Sequence, residues 1–316
     1  MLHMPDLKDC RIVFLGTPVF AVTILDKLYS EGCNIVGVVT APDKPAGRGM
    51  QLTQSAVKKY AVEKGLHVLQ PLKLKDPVFL QELASLQADL QVVVAFRMLP
   101  ESVWNMPPLG TINLHASLLP QYRGAAPINW AIINGEKVTG ITTFKLQHAI
   151  DTGDILMSEK IEIGDQENAG SLHDRMMHTG ASLVVKTLQA YCNGNLQPVP
   201  QTADSIPAQM HHAPKIQTST CQINWGKSSK EVNDLIRGLS PYPGAFTLLN
   251  GKVFKIYAAT FTIESHHQQV GVHETDGKTF LKFSTSDGWV FVLELQLEGK
   301  KRMDISSFLK GYRFNQ

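Results

Sequence analysis

Asn113 and His115 sit two residues apart in "GTINLHASLLP", at the end of a short apolar run. On a strand, alternate side chains share a face, so this carboxamide and this imidazole would converge near the strand's carboxyl end. Open α/β sheets bind their ligands at that end. Downstream, "HAIDTGDIL" places Asp151 in a glycine-containing loop ahead of another apolar stretch. A carboxylate there can orient an imidazole or collect a proton. Alone, His115 reads as a structural strand histidine and Asp151 as a turn residue before Thr152-Gly153. Together the three supply a donor for an oxyanion, a proton-transfer group and a carboxylate that tunes it, a set suited to acyl transfer.

The elements that would hold these groups repeat one unit. "RIVFL" runs into Gly16, after which Thr17-Pro18 supply an N-cap and a first helical position for "VFAVTILDKLY". The alternation continues through "NIVGVVT", "SAVKKYAVEKG", "HVLQ", "PVFLQELASLQ" and "LQVVVAF", then "GTINLH", "AAPINWAIINGE", "GITTFKL" and "DILMSEKIEI". Unbroken Val, Ile and Leu strands between helices indicate a doubly wound, mostly parallel α/β sheet covered on both faces. A long helix over "AGSLHDRMMHTGASLVVKTLQAYCNG" closes this domain near Gly194, so the first domain is expected over residues 1–194. Pro198, Pro200, Pro207 and Pro214 then interrupt polar sequence, which predicts an extended linker over residues 195–214. Residues 215–316 have another texture. One helical stretch, "SSKEVNDLIRGL", precedes Asn250-Gly251, Asp276-Gly277 and Asp287-Gly288, which lie between β-rich segments. Roughly five short antiparallel strands predict a smaller, OB-like β-barrel domain.

Composition excludes several classes. With 43% hydrophobic and 18% charged residues over 316 positions, the chain has ample material for a core and is not a disordered one. No apolar run is long enough to span a bilayer. The first ten residues, "MLHMPDLKDC", have neither an apolar signal core nor an Arg-rich amphipathic face, and predict a cytoplasmic protein. Cys10, Cys33, Cys192 and Cys221 are too scattered for a zinc motif or a disulfide framework, so a reducing compartment and no metal are expected. Net charge is only +2, yet residues 208–316 carry 13 Lys and Arg against 9 Asp and Glu, while the rest carries 17 against 19. The positive excess lies with the expected barrel.

Four stretches carry a family resemblance: "FLGTPVFA", "APDKPAGRG", "NLHASLLPQYRGAAP" and "IDTGDIL". They resemble the successive signatures of the methionyl-tRNA formyltransferase family, and the similarity runs on through "APKIQTSTCQINW" into the second domain. The resemblance implies a Rossmann-like formyltransferase domain that moves the formyl group of 10-formyltetrahydrofolate to the α-amino group of methionyl initiator tRNA, for translation initiation. It implies Asn113, His115 and Asp151 as the catalytic trio, and Ser117, Leu118, Leu119 and Pro120 as the lining of the folate site. "AFRMLP" is one residue shorter than its counterpart in relatives, with Arg97 where a small residue is usual, and Arg97 is assigned to that site too. The chemistry matches the trio. An α-amino group, with a pKa of about 7.7 to 8.0, must shed a proton before it attacks a formyl carbon. Attack creates an oxyanion that Asn113 and a protonated His115 can stabilise, and the departing tetrahydrofolate amine then needs a proton back.

The loop "APDKPAGRGMQ" is long for an α/β connection. As a charge pattern it reads as a solvated surface; by the resemblance it meets the acceptor end of the tRNA, with Lys44 and Arg48 directed at phosphates. In the second domain Lys300, Lys301 and Arg302 are expected to contact the RNA backbone. A monomer is expected. One rival reading is a formyltransferase that acts on a sugar nucleotide or glycinamide ribonucleotide. A dinucleotide-dependent oxidoreductase would need G-x-G-x-x-G, of which "GTPVFA" holds one glycine. An RNA-binding module would leave the trio unexplained.

Overall fold

The computed structural model describes residues 7–46, 51–201 and 209–314. Its first sheet has seven strands in the order Ile155–Glu162, Val138–Lys145, Thr111–His115, Leu90–Val94, Ile12–Gly16, Ile35–Val39, Val68–Leu69. From Thr111–His115 to Val68–Leu69 neighbouring strands run parallel. Ile12, Val13, Phe14 and Leu15 are all fully buried, as a central strand covered on both faces requires. The chain winds outward from Ile12–Gly16 on one side and returns to its other side with Leu90–Val94. The switch point between those two strands is where such sheets open a ligand crevice, and Thr111–His115 is next to it. Val138–Lys145 then adds antiparallel, setting Thr142 opposite His115 and Phe144 opposite Asn113.

The helix Val19–Ser30 starts one residue later than its sequence suggests. Pro18, at φ −83° and ψ 178°, is still extended and takes the N-cap place itself, its carbonyl accepting from the amides of Ala21 and Val22 at 3.0 and 3.3 Å. The long helix Ala169–Cys192 runs for 24 residues.

The second sheet is antiparallel and curls into a half-barrel, in the order Ala245–Leu249, Lys252–Ile263, Gly288–Leu297, Leu281–Ser284, His273–Thr275, with Met303–Asp304 paired onto Gly288–Leu297. It closes over Phe254, Ile256, Phe283, Val290 and Leu295, and the helix Ser229–Gly238 inserts Val232 and Ile236 into the same core. Its first hairpin turns on Asn250 and Gly251, both left-handed at φ +50° and +74°, the type I′ geometry that this dipeptide favours.

The described residues group into two compact units. One covers Met1–Arg123, Gly140–Ile161 and Asp174–His211; the other covers Gly124–Thr139, Glu162–His173 and His212–Gln316. The helix Pro127–Ile133 therefore belongs with the second sheet. Its Asn129 Nδ2 donates to the Gly238 carbonyl at 2.7 Å, and Ile133 packs against the second core.

Candidate active site

Asn113 and His115 lie on one face of Thr111–His115, the first half-buried and the second 7% exposed. The imidazole is held by a hydrogen bond at one end and faces a carboxylate at the other. Its Nε2 lies 2.9 Å from the Tyr122 carbonyl oxygen. A carbonyl only accepts, so Nε2 carries a proton and donates it there. Nδ1 lies 3.9 Å from Asp151 Oδ2, and the His115 ring meets Phe144 edge-on at 6.5 Å. The Tyr122 carbonyl is aimed by its own backbone. Tyr122 is left-handed at φ +59°, its amide donates to the His211 carbonyl at 2.7 Å, and its ring stacks on the His211 imidazole at 5.6 Å.

Asp151 is also left-handed, at φ +53°, a conformation that Asp tolerates better than most residues. Its loop is held by Gln201, whose Nε2 donates to the carbonyls of Asp151 at 3.1 Å and Gly153 at 2.7 Å. The Gln201 Oε1 accepts in turn from Arg123 Nη2 at 2.6 Å. Burial pulls the Arg123 guanidinium below the usual arginine range, and the Asp151 carboxylate opposes that shift by its charge. Gly153 has no room for a side chain: a Cβ there would lie 1.7 Å from the Lys145 carbonyl oxygen.

The segment Ser117 to Pro120 leaves the same strand end as a braced loop. Thr142 Oγ1 donates to the Ser117 carbonyl at 2.7 Å and accepts from the Leu119 amide at 3.3 Å, and the Leu119–Pro120 peptide is cis. Ser117 is fully buried with its hydroxyl on the Gln121 carbonyl at 2.6 Å, so it shapes the loop from beneath. Leu118 and Pro120 are half-buried and Leu119 is buried. Arg97 follows the neighbouring strand Leu90–Val94 and is exposed; its guanidinium turns back onto the carbonyls of Pro71 and Leu72 and lies 5.6 Å from the Phe96 ring. Arg123, Gln201 and the Tyr122 carbonyl are the members of this site that spacing alone did not single out. Gln201 sits in proline-rich sequence that reads as a spacer.

A formyl transferase family model matches residues 10–188, and a formyl transferase C-terminal domain model matches residues 215–313. A methionyl-tRNA formyltransferase of Bacteroides thetaiotaomicron is 51% identical over 313 residues, covering 98% of this chain and 97% of its own. One from Phocaeicola vulgatus is 55% identical over 317 residues, with the same coverage of 98% and 97%. The chain belongs to the methionyl-tRNA formyltransferase family. Solved structures share the fold at lower identity. An N-formyltransferase from Helicobacter canadensis, in complex with folinic acid and dTDP-3-aminofucose, superposes with a TM-score of 0.67 at 20% identity, over 90% of this chain and 98% of that one. HypX from Aquifex aeolicus in complex with tetrahydrofolic acid gives 0.60 at 20% identity, over 95% of this chain and 48% of that one.

The basic residues that this formyltransferase family member was expected to turn toward RNA are unequal in their surroundings. Lys44 is exposed at the start of a short hairpin in which Lys44–Ala46 pairs with Gln51–Thr53. The hairpin is anchored by Asp43, which accepts from Lys58 Nζ at 2.5 Å and from Gln70 Nε2 at 2.8 Å and is held below the usual carboxylate range by those bonds. Arg48 lies outside the described residues. Lys300 and Lys301 are exposed. Arg302 is also exposed, but it forms a two-pronged ion pair with Glu294, both contacts 2.5 Å, and lies 4.3 Å over the Tyr257 ring. Among the described residues no helix is long and apolar enough to cross a membrane.

Proposed function

We propose that this protein transfers the formyl group of 10-formyltetrahydrofolate to the α-amino group of methionyl initiator tRNA. The observation that carries the chemistry is an imidazole held at Nε2 by a carbonyl and facing a carboxylate through Nδ1, beside a carboxamide on the same strand face. Support for the acceptor comes from relatives of that name that match the chain along nearly its whole length at about half identity.

The co-substrate supplies a formyl carbon bonded to an amine leaving group. The 3.9 Å between His115 Nδ1 and Asp151 Oδ2 is too long for a direct hydrogen bond and suits proton passage through one water. Nδ1 and the Asp151 carboxylate receive the proton that the substrate ammonium sheds. As the amine attacks, the Asn113 carboxamide and the newly protonated Nδ1 donate to the oxyanion. Nδ1 then gives its proton to the departing tetrahydrofolate nitrogen, while the attacking nitrogen sheds its second proton to the Asp151 carboxylate, and from there to solvent, as the amide forms. Nε2 keeps its proton throughout, because its partner is a carbonyl.

In this reading Ser117, Leu118, Leu119, Pro120 and Arg97 border the folate. Lys44 and Arg48 meet the acceptor end of the tRNA, while Lys300, Lys301 and Arg302 meet its backbone, Arg302 by exchanging Glu294 for a phosphate. Residues 1–194 form the catalytic domain, 195–214 the linker and 215–316 the tRNA-binding domain, in a cytoplasmic monomer. Arg48 separates a tRNA acceptor from a small one. A guanidinium that pins a phosphate near the amino acid acts through positioning, so Arg48→Ala should slow formylation of methionyl-tRNA by about 10-fold or more. Folate affinity should stay within about 2-fold, and Arg48→Lys should recover part of the rate by restoring charge without the fork. Folate titration and formylation across salt concentrations measure both. An unchanged rate, or a parallel loss of folate affinity, would remove Arg48 from the tRNA site.

A further inference from the structure

Three hydrogen bonds lead from His115 round to the Asp151 loop. His115 Nε2 donates to the Tyr122 carbonyl at 2.9 Å; the next residue, Arg123, donates from Nη2 to Gln201 Oε1 at 2.6 Å; and Gln201 Nε2 donates to the Asp151 carbonyl at 3.1 Å. Asp151 Oδ2 then faces His115 Nδ1 across 3.9 Å. We propose that Gln201 and Arg123 are positioning residues for the reaction, setting the separation and angle between the His115 imidazole and the Asp151 carboxylate. This rests on the trio being the proton-transfer machinery.

Three observations carry the assignment. First, one carboxamide gathers two carbonyls of the Asp151 loop, those of Asp151 and Gly153, and so uses both of its N–H bonds on the turn that aims the carboxylate. Second, the anchor is itself fixed. Val199, two residues before Gln201, exchanges two backbone hydrogen bonds of 2.8 Å with Ile155 at the start of the strand that follows the loop. Third, Arg123 brings more than a hydrogen bond. Its guanidinium is half-buried, its Nε is buried with no hydrogen-bond partner, and its charge interacts with the Asp151 carboxylate. A half-buried guanidinium whose buried Nε–H has no hydrogen-bond partner is costly unless the position requires it. Here it holds the strap beside the Asp151 loop.

The test is a double-mutant cycle in formylation kinetics. Gln201→Ala should lower kcat by about 10-fold, consistent with a sub-ångström shift of a reacting group, with KM for both substrates within about 2-fold. In an Asp151→Ala background the same change should cost less than about 2-fold, because the residue it positions is gone. Gln201→Glu keeps an acceptor for Arg123 but turns oxygen toward two carbonyls, and should lose at least as much kcat as the alanine. Arg123→Lys should recover part of the loss seen in Arg123→Ala. A folded Gln201→Ala or Gln201→Glu protein with normal kcat overturns the inference. So does a Gln201→Ala loss that multiplies fully with the loss from Asp151→Ala. Normal turnover in Asp151→Ala would instead overturn the reading of the trio, and the inference with it.

Discussion

His115→Ala and Asn113→Ala should each lower the rate of formyl transfer by at least about 100-fold, while the protein keeps its fold. A 100-fold loss is about 2.7 kcal/mol of transition-state stabilisation, the amount one aimed donor or proton-transfer group supplies. The two variants should differ in stability. Removing the His115 ring takes away the Nε2–H bond to the Tyr122 carbonyl, and a lost hydrogen bond of this kind costs about 0.5–1.5 kcal/mol. The half-buried Asn113 carboxamide should cost less. Single-turnover rates at saturating substrates, with thermal unfolding by circular dichroism, measure the two effects separately. Near-normal turnover in a folded His115→Ala protein would exclude Nδ1 as the proton carrier.

Gly153→Ala is expected to be as severe, although a methyl group is all it adds. The new Cβ would lie 1.7 Å from the Lys145 carbonyl oxygen, far inside van der Waals contact. Lys145 ends a strand of the sheet, where it pairs with Ile112 and donates its amide to the Asp154 carbonyl at 3.0 Å, so the strand resists and the loop must move. Asp151 is two residues away on that loop, and its carbonyl would leave Gln201 as the Gly153 carbonyl shifted. A displacement of about 1 Å at a reacting group costs about 100-fold in rate. Gly65→Ala is the control. Gly65 is left-handed at φ +68° with open space around it, so alanine there should cost about 1 kcal/mol of stability through the backbone and leave turnover unchanged. If Gly153→Ala keeps full activity, the loop does not set the position of Asp151.

The parts of the fold that depend on local rules were readable in the chain. Ile12 to Leu15 is an unbroken apolar run because both faces of that strand are covered. Asn113 and His115 could be paired because side chains on a strand alternate, and Asn250-Gly251 announced its hairpin because both residues must be left-handed. What escaped depends on tertiary packing. Pro127–Ile133 reads as one more helix of the first series, yet its partner is the Gly238 carbonyl. Gln201 carries no local signal: a polar residue among prolines reads as spacer, and its partners lie 50 residues back at Asp151 and 78 back at Arg123. Ser117 and Arg302 were legible as residue types, but not what each touches. The Gln121 carbonyl takes the Ser117 hydroxyl, and Glu294 takes the guanidinium.

The most direct test of the account is to incubate the purified protein with 10-formyltetrahydrofolate and methionyl initiator tRNA, and to follow the amino acid released from the tRNA by mild base. Formyl-methionine should accumulate with one tetrahydrofolate per formyl group, and an Asn113→Ala protein should form it at least about 100-fold more slowly at saturating substrates. Methionine that stays unformylated while the protein formylates an amino sugar nucleotide, or equal rates from the parent and Asn113→Ala proteins, would contradict it.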